Sequence, residues 1–187
     1  MKITFNAHPG IGHALRRSVN GFTLIELLIT ISIGVLLMVV AVPAFVSFQR
    51  NAQLSEAVSN FIAATNATRA NAMKQGINTY LVPNSGINWG SGWLVFADSN
   101  WSKTYDVGTE EVIVSHEAPD SSISITIPTT SSFSSGYVLF NGSGYPRLKS
   151  GGFGGGTLVM SNGTRSSSII IDPAGRVRSC TTGSSGC

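Results

Sequence analysis

The chain has 187 residues, 42% of them hydrophobic and 11% charged. That is one domain's worth of sequence plus a separate N-terminal feature, so several independent domains are excluded, and the charge lies well below the about 25% usual for a soluble domain. The formal net charge of +3 does not mark a basic protein: Lys2, Arg16 and Arg17 precede residue 21, and the remainder carries nine basic residues against nine acidic ones.

From Phe22 to Phe48 the sequence reads FTLIELLITISIGVLLMVVAVPAFVSF, with Glu26 as its one charge. As a helix this run is about 40 Å long, enough to cross a hydrocarbon core of about 30 Å. Arg16 and Arg17 stand before it and Arg50 after it. The positive-inside rule puts the N-terminus in the cytoplasm and the rest of the chain on the far side. A secretory signal would be cut after its apolar stretch. Here the motif lies ahead of that stretch, at Gly21-Phe22-Thr23-Leu24-Ile25-Glu26.

Those six residues resemble the recognition motif of type IV prepilins and type II secretion pseudopilins. The resemblance implies cleavage between Gly21 and Phe22 by a prepilin peptidase/N-methyltransferase and methylation of the new terminus at Phe22. It also implies retention of the apolar helix in a filament of pilins or pseudopilins. A lone carboxylate in hydrocarbon is costly unless paired. Cleavage creates a partner, the Phe22 amine, and the family pairs Glu26 with that amine on a neighbouring subunit during assembly. Pro43 removes a backbone bond and predicts a kinked or loosened helix.

Beyond the membrane the helix is expected to continue. Leu54, Val58, Phe61, Ile62, Thr65, Arg69, Ala72 and Met73 recur near helical spacing, and Gly76 is the expected stop. Short strands with Gly, Ser and Asn turns follow, near 77–82, 92–97, 111–116, 122–128, 136–140, 156–160, 166–171 and 175–180. Ile123, Ile125 and Ile127 alternate with polar residues, as a half-buried strand requires. The predicted fold class is α+β and type IV pilin-like, with a long N-terminal spine helix and one antiparallel β-domain. The boundaries are a leader over 1–21, a transmembrane helix over 22–48, an amphipathic continuation over 49–76 and a periplasmic or extracellular β-domain over 77–187.

Two further stretches narrow the family. Trp89-Gly90-Ser91-Gly92-Trp93-Leu94-Val95-Phe96, with Asp98 and Asn100, resembles the tryptophan-rich strand of GspH/FimT minor pilins. Asp172-Pro173-Ala174-Gly175-Arg176-Val177-Arg178-Ser179-Cys180 resembles their C-terminal hairpin. Trp89 and Trp93 are read as core residues. Asp172 to Gly175 suits a type I turn, and alternation along the next strand puts Arg176 and Arg178 on one face with Val177 inward. Two guanidiniums so placed can each hold a phosphate oxygen. In FimT-type minor pilins the Gly-Arg-x-Arg element binds DNA, which here implies Gly175, Arg176 and Arg178. Two solvated or internally paired arginines on an edge strand are the alternative.

Charge is unevenly distributed. Residues 76–120 hold one Lys against six acids, while residues 121–187 hold Arg147, Lys149, Arg165, Arg176 and Arg178 against Asp172 alone. A basic C-terminal region suits an anionic partner. Cys180 and Cys187 have no His or third Cys at metal-site spacing. Outside the cytoplasm they would form a disulfide worth roughly 2–3 kcal/mol; two free thiols are the other possibility. No catalytic motif, cofactor site or metal site is legible, and His116 reads as a strand-end residue. The sequence therefore predicts a non-enzymatic minor pilin, single-pass in a bacterial inner membrane, with other pilins, the processing enzyme, the membrane and DNA as partners. A minor pseudopilin of type II secretion and a purely structural filament initiator are the rival functions.

Overall fold

The computed structural model describes residues 21–185 and residue 187. The predicted leader, with Lys2, Arg16 and Arg17, lies outside these residues apart from Gly21. The backbone divides into two compact units, Met1–Pro43 and Ala44–Cys187.

Helix α1, Leu24–Gln75, begins in the first unit and is long and apolar enough to cross a membrane. Its first turn carries a reciprocal cap. The backbone N–H of Glu26 donates to Thr23 Oγ1 at 3.2 Å, and the Thr23 hydroxyl and backbone N–H donate to Glu26 Oε2 at 3.3 and 3.4 Å. This Thr-x-x-Glu arrangement satisfies donors that a helix start leaves open. The large apolar side chains from Phe22 to Phe45 are exposed in the isolated chain. Such a surface requires lipid or other subunits around it.

In the second unit the helix becomes one-sided. Leu54, Ala57, Val58, Phe61, Ala64, Thr65, Thr68 and Ala72 are buried, the 3–4 spacing of a helix face against a sheet. Gly76 ends it as expected, with φ 71° and its N–H donated to Ala72 O at 2.9 Å. A left-handed glycine there closes the last turn without a Cβ clash.

Two antiparallel sheets follow. The first, in the order β3-β2-β1-β5-β6, contains β1 (Thr79–Ser85), β2 (Asn88–Ala97), β3 (Val112–His116), β5 (Val138–Phe140) and β6 (Pro146–Arg147). The second, β4-β7-β8-β9, contains β4 (Ser124–Thr126), β7 (Gly156–Ser161), β8 (Ser166–Ile171) and β9 (Val177–Thr181). One core joins both sheets to the helix. Phe61 meets Trp89 and Trp93 edge-on at 5.4 and 5.2 Å, and Leu158, Met160, Ile169 and Ile171 complete the core from the second sheet. Because side chains alternate along a strand, Tyr80 and Phe96 face away from the helix. They form a second, smaller cluster with Leu139, packed by Tyr105 and Tyr137.

Several boundaries depart from expectation: β4, β5 and β9 each begin two residues later than predicted, which leaves Arg176 in the turn ahead of β9. β1 runs past Pro83 to Ser85 and β2 starts at Asn88, because a tight turn at Gly86 (φ 54°) joins them. Gly90 and Gly92 lie inside β2 instead of ending it. At Gly92, φ is 88° and a Cβ would collide with the backbone of His116 and Glu117, so only glycine suits this point. The two-residue β6 and a 3-10 turn at Ser132–Ser135 lie where only loop was expected.

Candidate functional site

β8 and β9 form the C-terminal hairpin, pairing Ile171 with Val177 and Ile170 with Arg178. The Gly175 N–H donates to Asp172 O at 2.8 Å and the Asp172 N–H to Arg176 O at 3.1 Å. Gly175 sits at φ 81°. This is a type I turn followed by a left-handed glycine, a common three-residue hairpin loop. Val177 packs against the core, while Arg176 and Arg178 are exposed on either side of it. β9 lies at the end of its sheet's strand order.

Asp172 organises the turn and also acts on Arg176. Its Oδ1 accepts from the Arg176 backbone N–H at 2.9 Å, and its Oδ2 accepts from Arg176 Nε at 3.2 Å. The backbone N–H first, then the guanidinium, hold the carboxyl below its usual range. Arg176 still keeps 75% of its side chain exposed, so this surface pair is weak.

The residue that sequence reasoning missed is Arg69. Its spacing puts it in the packing stripe of the helix, but its guanidinium donates to Gly175 O at 2.8 Å and to Ala174 O at 3.3 Å. Gly144 and Gly175 make room for it: a Cβ on Gly175 would lie 2.7 Å from Gly144 O and 3.2 Å from Arg69 Cζ. A charged residue on a largely apolar helix face was the one signal available in the sequence.

The other basic residues do not form one patch. The Arg147 guanidinium lies 4.6 Å over the Phe153 ring. Its backbone abuts Gly154, whose neighbour Gly155 abuts Ile171, Asp172 and Pro173, so Arg147 lies toward the turn. Arg165 sits at the far end of six-residue β8, roughly 20 Å away at strand rise. Lys149 lies over the Tyr137 and Tyr80 rings at 4.9 and 5.5 Å, and burial lowers its pKa. Arg147 and Lys149 line a cavity of about 420 Å³ with Lys103. The Cys180–Cys187 disulfide is formed, with Cα atoms 5.8 Å apart, and closes the segment after β9.

Trp89 and Trp93 are buried in the core. His116 ends β3, stacks on Trp93 at 4.6 Å, bonds the Glu117 carbonyl through Nδ1 and meets the Asn60 amide at Nε2. Those contacts make it a packing residue.

An apolar helix that starts on a Gly-Phe-Thr-Leu-Ile-Glu motif and continues onto a β-domain defines a type IV pilin-like subunit. A family model described as the prokaryotic N-terminal methylation motif matches residues 16–42, and one described as type II transport protein GspH matches residues 57–175. The chain belongs to the GspH family. No curated protein matches it in sequence. Two crystal structures of the type IV minor pilin FimU of Pseudomonas aeruginosa share its fold. One has a TM-score of 0.53 at 13% identity, covering 70% of this chain and 98% of that one. The other has a TM-score of 0.55 at 15% identity, covering 73% and 98%.

Proposed function

We propose that this minor pilin binds DNA, as a subunit of a type IV filament, through the turn and strand carrying Gly175, Arg176 and Arg178. The observation that supports this is the exposure of Arg176, on a turn held from the spine helix by Arg69, and of Arg178 on the strand that follows. Exposed guanidiniums contact phosphate oxygens without reading bases, so binding is salt-sensitive and indifferent to sequence. Two cations give low affinity, and several subunits along a filament supply avidity.

The remaining roles follow from the same reading. The peptidase cuts before Phe22, and its methylated amine meets Glu26 of a neighbouring subunit. Residues 22–48 span the inner membrane with the β-domain on the periplasmic side, and residues 1–21 are lost. The chain performs no catalysis of its own.

The test is binding of a fluorescent DNA duplex to the full chain in detergent micelles, followed by polarisation at several salt concentrations. Replacing Arg176 and Arg178 together by Ala should weaken binding at least about tenfold and reduce the salt slope by about two. Undiminished binding by that variant rules out this site. The GspH family's description as type II transport proteins favours a second reading, a secretion pseudopilin, in which the unaltered chain retains no duplex at low salt.

A further inference from the structure

Residues 98–110 fold back over the outer face of the first sheet, where Tyr105 packs on Phe96 at 5.4 Å. At the ends of this loop and in the sheet lie three buried polar atoms with no hydrogen-bond partner: Asp98 Oδ1, Glu110 Oε1 and Tyr80 Oη. Tyr80 and Asp98 are 0% exposed and Glu110 is 6% exposed. The three groups sense one another. Burial first, then the charges of Asp98, Tyr137 and Glu110, push the Tyr80 phenol up to about 12. Burial likewise raises Glu110, with Asp98 and Asp106 adding to it.

Buried carboxylates that stay ionised need a counter-charge. Among the described residues the salt bridge is Arg176 with Asp172, and neither Asp98 nor Glu110 joins an ion pair. Lys149, whose charge reaches Asp98 electrostatically, has its ammonium over the Tyr80 and Tyr137 rings instead.

We propose that residues 98–110 bind a divalent cation of the calcium type, held by the carboxylates of Asp98 and Glu110. Oxygen donors recur through the loop at the spacing hard cations use: Asp98, Asn100, Ser102, the Thr104 carbonyl and Asp106 stand at positions 1, 3, 5, 7 and 9. Trp101 and Lys103, at positions 4 and 6, have φ of 61° and 62°, which turns the chain around a centre. The donors are already gathered. Asn100 Nδ2 bonds Asp106 Oδ2 at 2.8 Å, Ser102 Oγ bonds Thr104 O at 2.9 Å, and the Asp106 N–H bonds Glu110 Oε2 at 3.1 Å.

The loop departs from the EF-hand pattern in having Lys103 where glycine is usual and its final acid at position 13. Among the described residues no three His, Cys, Asp or Glu side chains gather closely enough to hold an ion by themselves. Coordination therefore draws on the amide, hydroxyl and backbone oxygens as well, which calcium accepts and which favours affinity in the range of extracellular modules, roughly 0.1–1 mM.

Calcium titration of the full chain in detergent micelles tests this, with Trp101 in the loop as a fluorescence reporter and melting as the second measurement. Saturable fluorescence change and a rise in Tm of roughly 3–6 °C at ten times the Kd are expected, with little response to magnesium at equal concentration. Asp98→Asn and Glu110→Gln should melt at or above the unaltered chain in chelator, since each removes a buried charge, yet below it in calcium. The half-exposed Asp106→Asn keeps the fold and should weaken binding several-fold. No saturable response in the unaltered chain, an equal response to magnesium, or variants with the same deficit in chelator and in calcium would each overturn the proposal.

Discussion

Arg69, on the spine helix, donates a hydrogen bond from Nη1 to the carbonyl oxygen of Gly175 at 2.8 Å, 106 residues further along the chain. A second bond, from Nη2 to Ala174 O, uses the other arm of the same planar fork. The turn that precedes the exposed strand arginine is thus fixed to the spine helix.

Arg69 has a positioning role that can be separated from its charge. Arg69→Ala should cost about 1–3 kcal/mol of stability, the range for hydrogen bonds from a charged donor, and weaken DNA binding several-fold. Arg69→Lys keeps the charge but loses the two-armed geometry. It should therefore behave like the alanine variant in denaturant melts, whereas recovery by lysine would reduce Arg69 to a surface charge.

Gly175 allows no side chain. Its φ of 81° strains any other residue, and a Cβ would lie within 2.7 Å of Gly144 O. Gly175→Ala should destabilise the protein by about 1–3 kcal/mol and loosen the Arg69 contact. Hydrogen exchange at the amides of residues 169–178 would show it as faster exchange confined to that hairpin.

Much of this was legible from the sequence. Gly76 ended the helix where predicted because a left-handed cap leaves a simple local signature. Asp-Pro-Ala-Gly announced its turn for the same reason. Trp89 and Trp93 were readable as core because few surfaces accommodate two such rings. The division into two sheets was not readable, since strand partners such as β1 and β5 lie far apart in sequence. Nor was the role of Arg69, whose partners are backbone carbonyls that carry no residue-specific mark. Glu26 also completes the Thr23 cap, a role that Thr-x-x-Glu spacing signals by itself, beside the assembly role that the resemblance implies.

Asp172 should make the hairpin acid-sensitive. Its folded pKa is depressed below the ordinary value of 3.8, mainly by the Arg176 backbone N–H. A depressed carboxyl contributes stability that is fully present above its unfolded pKa and is lost as pH falls through its folded value. The turn should therefore be intact at neutral pH and loosen only below about pH 4. At neutral pH, Asp172→Asn removes the negative charge beside Arg176 and should raise DNA affinity about two- to fivefold at low salt. Lower affinity would mean that the carboxylate's hold on the turn outweighs its competition with phosphate.

The proposed filament role requires that the apolar helix stay while the basic leader goes, leaving an amine at Phe22 to meet a carboxylate across a subunit boundary. Intact-mass measurement of the protein purified from its native host tests this most directly. The predicted result is a chain that begins at Phe22 and carries one added methyl group. A chain that retains residues 1–21, or one cut after the apolar segment, would contradict it.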